Sequence, residues 1–131
     1  MRIAKAAAAY WAMIFALGFA LGSLRVMWGA QALGETGFIL VEVPIMLLAS
    51  WLAAKALVRR FAVQPGGGAL AMGALAFALL MAAEAMLTAM LGGDPAAWLA
   101  GLIRPPGLYG FIGQLAFALM PWLAARKSAA S

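Results

Sequence analysis

Four polar side chains stand inside otherwise apolar stretches of the sequence, and they are the residues best suited to chemistry. They are Arg25, Glu42, Glu84 and Gln114. Polar and ionisable groups at membrane depth are costly, and they usually face the interior of a helix bundle, where a partner satisfies them. Each of these residues lies in a separate apolar stretch that is long enough to cross a membrane as a helix. At a rise of 1.5 Å per residue, Arg25, Glu42, Glu84 and Gln114 lie about 13, 9, 6 and 3 Å from the middle of their stretches, all displaced toward the same face of the membrane. We therefore predict a polar cluster in that half of the bundle.

The charges of this cluster predict its chemistry. One arginine faces two glutamates, so one negative charge has no fixed partner. In low-dielectric surroundings two neighbouring carboxylates do not readily stay ionised together unless the arginine serves both. The cluster could therefore hold one exchangeable proton or bind a cationic group. Two alternatives stay open: Arg25 clamps the helices by pairing with one or both glutamates, or the cluster contacts another subunit.

Small residues on the same helical faces favour an inward orientation of these side chains. Arg25 shares a face with Gly18 and Gly22, and Glu84 lies three turns from Gly73. Small residues mark the faces on which helices approach each other in lipid.

The amino-acid composition indicates that this chain is surrounded by lipid rather than by water. Its 131 residues are 67% hydrophobic and only 10% charged, and a soluble domain averages about half apolar and a quarter charged residues. The sequence contains neither Cys nor His, which removes disulfides, the usual metal ligands and the commonest general base. We predict a single membrane domain over 1–131, with no metal site, no cofactor and no catalytic residues.

Four stretches are long enough to cross the hydrocarbon core, which takes about 20 apolar residues. They are 6–28, 38–58, 69–91 and 107–125. The predicted fold class is an all-α, integral membrane four-helix bundle.

The connections carry turn signals. We predict a loop at 29–37 and a glycine-rich turn at 64–68. Asp94 is placed to cap a short helix, with Pro95 at its first position. This short helix, at 96–103 between spans three and four, is predicted to lie along the interface.

Proline and aromatic positions give further expectations. Pro44 either sits in the first turn of its helix or frees a carbonyl beside Glu42, and Pro121 is expected to kink the last span. Aromatic residues are expected at the two membrane boundaries. Tyr10, Trp11 and Trp122 fall toward one boundary, and Trp28, Trp98 and Tyr109 toward the other. Trp51 lies deeper and is interpreted as a packing residue.

Lysine and arginine predict the orientation. Seven basic residues fall on one side if the spans alternate: Arg2, Lys5, Lys55, Arg59, Arg60, Arg126 and Lys127. Arg25 and Arg104 fall on the other side, and all four acids lie in that opposite half. The positive-inside rule then places both termini in the cytoplasm of a bacterial cell, with the chain in the inner membrane. A cleavable signal peptide ending near 20–22 is the alternative interpretation of the first stretch.

Four runs carry a resemblance to a known group of proteins. They are LGSLRV at 21–26, LGET at 33–36, VEVPIM at 41–46 and GQLAFALMP at 113–121. Together they resemble a family of small, uncharacterised bacterial four-span inner-membrane proteins. The resemblance covers most of the chain and draws attention to Arg25, Glu35, Glu42 and Gln114. It implies the four-span topology and no activity, substrate or partner.

Three functions are compatible with these features. The leading prediction is a non-enzymatic accessory or assembly component with a mainly structural polar cluster, because the short connections leave no soluble domain for catalysis. The alternative is a small transporter, acting as a homodimer, that exchanges a proton or a cation at Glu42 or Glu84; this rests on fold-level analogy. The third is an intramembrane enzyme acting on a lipid or quinone through Arg25 and Glu42. Direct contacts without a cavity would favour the clamp, and a water-accessible gap would favour a site.

The predicted partner is the lipid bilayer. Nucleic acid is not expected, because the basic residues lie at helix ends. Whether the chain forms a homo-oligomer or joins a larger membrane complex stays open.

Overall fold

The computed structural model describes residues 2–104 and 107–130, and this part of the chain is almost entirely helical. The helices are α1 (Arg2–Leu24), a π-helical turn (Arg25–Gly29), α2 (Ala30–Leu33), α3 (Glu35–Arg60), α4 (Gly67–Met90), α5 (Pro95–Gly101) and α6 (Gly107–Ala130). Helices α1, α3, α4 and α6 are each long and apolar enough to cross a membrane. The all-α prediction with four spans and a short helix between the third and fourth is confirmed. The chain is a multi-pass membrane protein.

The four long helices form a ring. Helices α1 and α6 each pack against both α3 and α4, so the order around the bundle is α1, α3, α6, α4. One end of the bundle brings the start of α1 next to Gly68, and we call it the basic end. The other end carries α2 and α5, and we call it the α5 end.

The core is concentrated in the half toward the basic end, where small residues let the helices approach closely. Ala6, Ala54, Ala69 and Ala124 are all fully buried there. Gly73 of α4 lies directly against the backbone carbonyl of another residue, Ala118 in α6, so closely that a Cβ atom would collide with it.

The first connection differs from the predicted loop at 29–37. The chain stays helical from Arg25 to Leu33, and the helix breaks only at Gly34, which has a φ of 76°. Because no proline interrupts 25–33, helical hydrogen bonds can satisfy the backbone at the membrane boundary. Gly34 has a positive φ, which glycine adopts at no steric cost, and α3 begins at the next residue.

The other connections follow the sequence signals. The turn before α4 includes Gly66, and the turn after it includes Gly92, both with positive φ. Asp94 caps α5 by accepting a hydrogen bond from the backbone N–H of Ala96 at 3.0 Å, and Pro95 is the first residue of that helix. Pro44 lies well inside α3 rather than in its first turn, because that helix already begins at Glu35.

Candidate functional site

The four predicted side chains line one cavity, and they do so as two separate pairs. Arg25 Nη1 lies 3.1 Å from Glu42 Oε1. The amide nitrogen of Gln114 donates to both carboxylate oxygens of Glu84, at 2.8 and 2.7 Å. All four residues line the same cavity. The structure thus brings the four side chains to one cavity, and Arg25 pairs with only one of the two glutamates.

The first pair joins the end of span one to span two. Arg25 is the first residue of the π-helical turn, and Glu42 lies in the first half of α3. Their side chains are 27% and 17% exposed, so the ion pair is not sealed inside the protein. Single π-helical turns are rare and recur at functional sites. The pair is electrically neutral and holds α3 against the end of the first span.

The second pair joins α4 to α6 and carries a net negative charge when Glu84 is ionised. Within the described residues, no lysine or arginine lies at ion-pair distance from Glu84. Thr88 donates its hydroxyl to the backbone carbonyl of Glu84, not to the carboxylate. The Oε1 atom of Gln114 is buried and accepts no hydrogen bond. The negative charge that the sequence left without a partner therefore belongs to Glu84.

The cavity has a volume of about 1020 Å³ and occupies the half of the bundle toward the α5 end. Its inner lining includes the buried residues Ser50, Leu80 and Phe117, and its mouth includes the more exposed residues Trp98 and Arg104. Most of the remaining lining is apolar. Ligand pockets in proteins typically measure about 300–1,000 Å³ and combine apolar walls with a few placed polar groups. The cavity matches that description.

The floor of the cavity rests on a contact across the centre of the bundle. The ring of Tyr10, fully buried, stacks on that of Phe117 with centroids 4.3 Å apart and planes 12° apart. Its hydroxyl donates a 2.6 Å hydrogen bond to the backbone carbonyl of Phe117. In an unbroken helix the N–H four residues later would bind this carbonyl, but position 121 is a proline and has none. Tyr10 replaces the missing donor.

Tyr10 therefore corrects one expectation. The sequence placed it in an aromatic belt at the membrane boundary, whereas the structure buries it in the core. The physical reason is the carbonyl freed by Pro121, which needs a donor in surroundings without water.

Arg104 lines the mouth of the cavity, although the sequence assigned it only a role in topology. It is exposed and belongs to the connection after α5. A basic residue in a loop is typical of topology signals, so nothing in its spacing indicated a cavity. Glu35 begins α3, and its side chain lies outside the described part of the structure. Among the described residues, no cluster of three or more acidic, His or Cys side chains could hold a metal ion.

No family model, curated protein or solved structure matches the chain. The function must therefore be inferred from the cavity and its two polar pairs.

Proposed function

We propose that this chain is a non-enzymatic membrane protein that binds an amphiphilic organic cation in its cavity, with Glu84 as the counter-ion. The observation that carries this proposal is the placement of Glu84. Its carboxylate lines a cavity of about 1020 Å³, and no basic side chain of the described residues pairs with it.

The physical reason lies in the cost of an isolated charge at membrane depth. A carboxylate there is stabilised when a proton or a cation neutralises it. Gln114 offers only an amide, which orients the carboxylate without neutralising it. Glu84 therefore either holds a proton or lies beside a positively charged ligand.

The rest of the cavity lining indicates which kind of uncharged group the ligand carries beside its positive charge. Phe15, Phe19 and Phe117 contribute aromatic surface to the cavity. Aromatic faces attract organic cations, and apolar walls favour ligands that bury apolar area. A small hydrated metal ion has little to gain from such walls. An amphiphile with a single positive charge satisfies both the carboxylate and the apolar surface.

A direct test is the binding of tetraphenylphosphonium to the full chain in a neutral detergent. We expect the wild-type protein to bind this cation, and Glu84→Gln to lose at least tenfold in affinity because the charged partner is removed. The matched control is the double variant Arg25→Gln with Glu42→Gln. It removes the other pair but leaves the net charge of the cavity unchanged, so its affinity should stay within about threefold of wild type.

Two results would overturn the proposal. One is equal binding by the wild-type protein and Glu84→Gln. The other is equally tight binding of neutral triphenylphosphine oxide, which would show that the carboxylate contributes nothing.

Proton exchange gives a second readout of the same site. If the cation replaces a proton on Glu84, its affinity falls as the pH falls, and Glu84→Gln loses this dependence. The other charged groups in the described lining are Arg25, Glu42 and Arg104. The double variant at 25 and 42 therefore shows whether the pH dependence comes from the other pair.

The second candidate is an accessory or assembly component in which both pairs are structural. It is favoured by the direct contacts that all four side chains make. Under this function Glu42→Gln and Glu84→Gln both lower the melting temperature in detergent. Under the binding function only Glu42→Gln does so, because it leaves Arg25 unpaired. Glu84→Gln keeps an amide bond to Gln114 and removes a lone charge, so it should melt at the same temperature or higher.

The orientation belongs to the same proposal. We place the chain in the inner membrane with both termini in the cytoplasm, supported by seven basic residues at one end against two at the other. A reporter enzyme that is active only in the periplasm, fused to the C-terminus, should stay inactive. The homo-oligomer, the larger complex and the resemblance to small four-span proteins stay predictions.

A further inference from the structure

The cavity extends to the lipid-facing surface of the bundle at one residue of α1. Phe19 lines the cavity, yet it is 54% exposed and lies within the first span, Ile3–Leu24. Ala12 and Ala16 lie on the same helical face at spacings of four and three residues, and both are exposed without lining the cavity. That face therefore contacts lipid. Phe19 belongs both to the cavity wall and to the surface that faces the acyl chains.

The wall between α1 and α3 is thin beside Phe19. At Gly18 a Cβ atom would meet the terminal methyl group of Met46 at 3.3 Å. At Gly22, one turn further along, a Cβ atom would meet only the Arg25 guanidinium at 3.7 Å, and no atom from the described residues of α3 lies within 4 Å. The two helices are therefore separated here by the ends of two flexible side chains, Met46 and Arg25.

Two other seams of the cavity are closed more firmly. Between α4 and α6, Gln114 donates to both carboxylate oxygens of Glu84 at 2.8 and 2.7 Å. Between α3 and α6, a Cβ atom at Gly113 would meet the branched side chain of Val43 at 3.4 Å. A β-branched side chain has few rotamers with which to move aside. The seam between α1 and α3 is thus easier to open than either of these.

The mouth at the α5 end is a poor entrance for a cation. Arg104 is exposed there, and a positive charge at an entrance lowers the local concentration of cations. An amphiphile also concentrates in the bilayer, because its apolar part leaves water. Both effects favour entry from the lipid.

We propose that the amphiphilic cation passes between the bilayer and the cavity through a lateral window between α1 and α3. One edge of the window is the approach of Met46 to Gly18. The other edge is the Arg25–Glu42 pair, about 10 Å further along the helix axis at 1.5 Å per residue. Phe19 lies beside the window and offers an aromatic face to the passing cation. The window rests on the function proposed above and adds the source of the ligand, which is the membrane rather than the water.

A removable plug at position 19 tests the window. The sequence contains no cysteine, so Phe19→Cys carries the only thiol. The full chain in phosphatidylcholine nanodiscs is loaded with radiolabelled tetraphenylphosphonium, and a bulky, uncharged label is then attached through a disulfide. Release into excess unlabelled cation is timed with and without the label. We expect the label to slow release about tenfold or more, because it blocks the exit, and a reductant to restore the original rate. A label that only disturbed binding contacts would speed release instead.

Two matched variants locate the route. Ala20→Cys carries the same label at a neighbouring exposed position that does not line the cavity, and Arg104→Cys carries it at the mouth. Each label should change the release rate by less than about twofold, as for most surface changes.

The outcomes separate the window from the function proposed for Glu84. If the wild-type protein does not bind the cation, or binds it without needing Glu84, the proposed function is wrong and the window has no ligand. If binding depends on Glu84 but the label at position 19 leaves release unchanged, the function stands and the window is wrong. Slower release with the label at 104 alone would show that the mouth is the route. Equal slowing with the label at 19 and at 20 would show an unspecific effect and also overturn the window.

Discussion

The hydrogen bond between Tyr10 and Phe117 can be tested by removing its donor and restoring another. Tyr10→Phe keeps the ring that stacks on Phe117 at 4.3 Å and deletes only the hydroxyl. The carbonyl of Phe117 then has no donor, because Pro121 supplies none. An intramolecular hydrogen bond contributes about 0.5–1.5 kcal/mol, and a buried group left without a partner costs about 1–3 kcal/mol. We expect Tyr10→Phe to lower the free energy of unfolding by about 1–3 kcal/mol.

Pro121→Ala supplies the missing N–H to the same carbonyl. In that background Tyr10→Phe should cost less than about 1 kcal/mol, because the helix itself now satisfies Phe117. The double-mutant cycle should therefore show a coupling energy of about 1–2 kcal/mol. Reversible unfolding in mixed micelles with a denaturing detergent, followed by far-ultraviolet circular dichroism, measures all four proteins.

Tyr109→Phe is the control, because Tyr109 is partly exposed at the start of α6. Its effect should stay within about 0.5 kcal/mol, as for most changes away from buried contacts. The reasoning is refuted if the effects of Tyr10→Phe and Pro121→Ala are additive. It is also refuted if Tyr10→Phe costs nothing in the wild-type background.

Two further predictions concern the packing of α4 and the cap of α5. Gly73→Ala should destabilise the protein by several kcal/mol, since its methyl group would collide with the Ala118 carbonyl and separate α4 from α6. Gly110→Ala is the control, because a Cβ atom at position 110 meets nothing within 4 Å. It should be neutral or stabilising by up to about 1 kcal/mol in the same unfolding assay. Asp94→Ala should destabilise α5 by about 0.5–2 kcal/mol through loss of its N-cap. Amide hydrogen exchange at 96–98 should then become faster, and unchanged exchange would show that packing rather than the cap holds this helix.

The sequence predicts the spans well because one physical requirement controls them. An uninterrupted apolar segment of sufficient length must be helical in lipid, since its backbone has no other hydrogen-bond partners. The same requirement explains why the prediction for the first connection was wrong. The predicted loop at 29–37 rests on its glycines and Glu35, yet the backbone stays helical up to Leu33 and the helix breaks only at Gly34. Nothing in the residue types indicates the π-helical turn at Arg25.

The sequence predicts the candidate site less completely than it predicts the spans. Depth along each helix and small residues on the same faces were enough to bring Arg25, Glu42, Glu84 and Gln114 to one cavity. They could not assign the partners, because the span of Arg25 has neighbours carrying both glutamates. The structure selects Glu42, which is nearer to Arg25 in depth than Glu84 is. The bond from Tyr10 to Phe117 was not predictable either, since it depends on which helices lie diagonally across the bundle.

The cavity and the polar pairs depend on each other. Gly18, Gly22, Gly110 and Gly113 line the cavity, and residues of that size allow close helix contact in the half toward the basic end. Closing the cavity in the same way would gain dispersion contacts. It would also bury the Arg25–Glu42 pair and the lone charge of Glu84 more deeply, and the cost of burying charges can exceed the gain from packing. An occupant that brings a positive charge and apolar surface relieves both costs. Under the proposed function, the same three charges that oppose closure of the helices also determine the kind of molecule that fits between them.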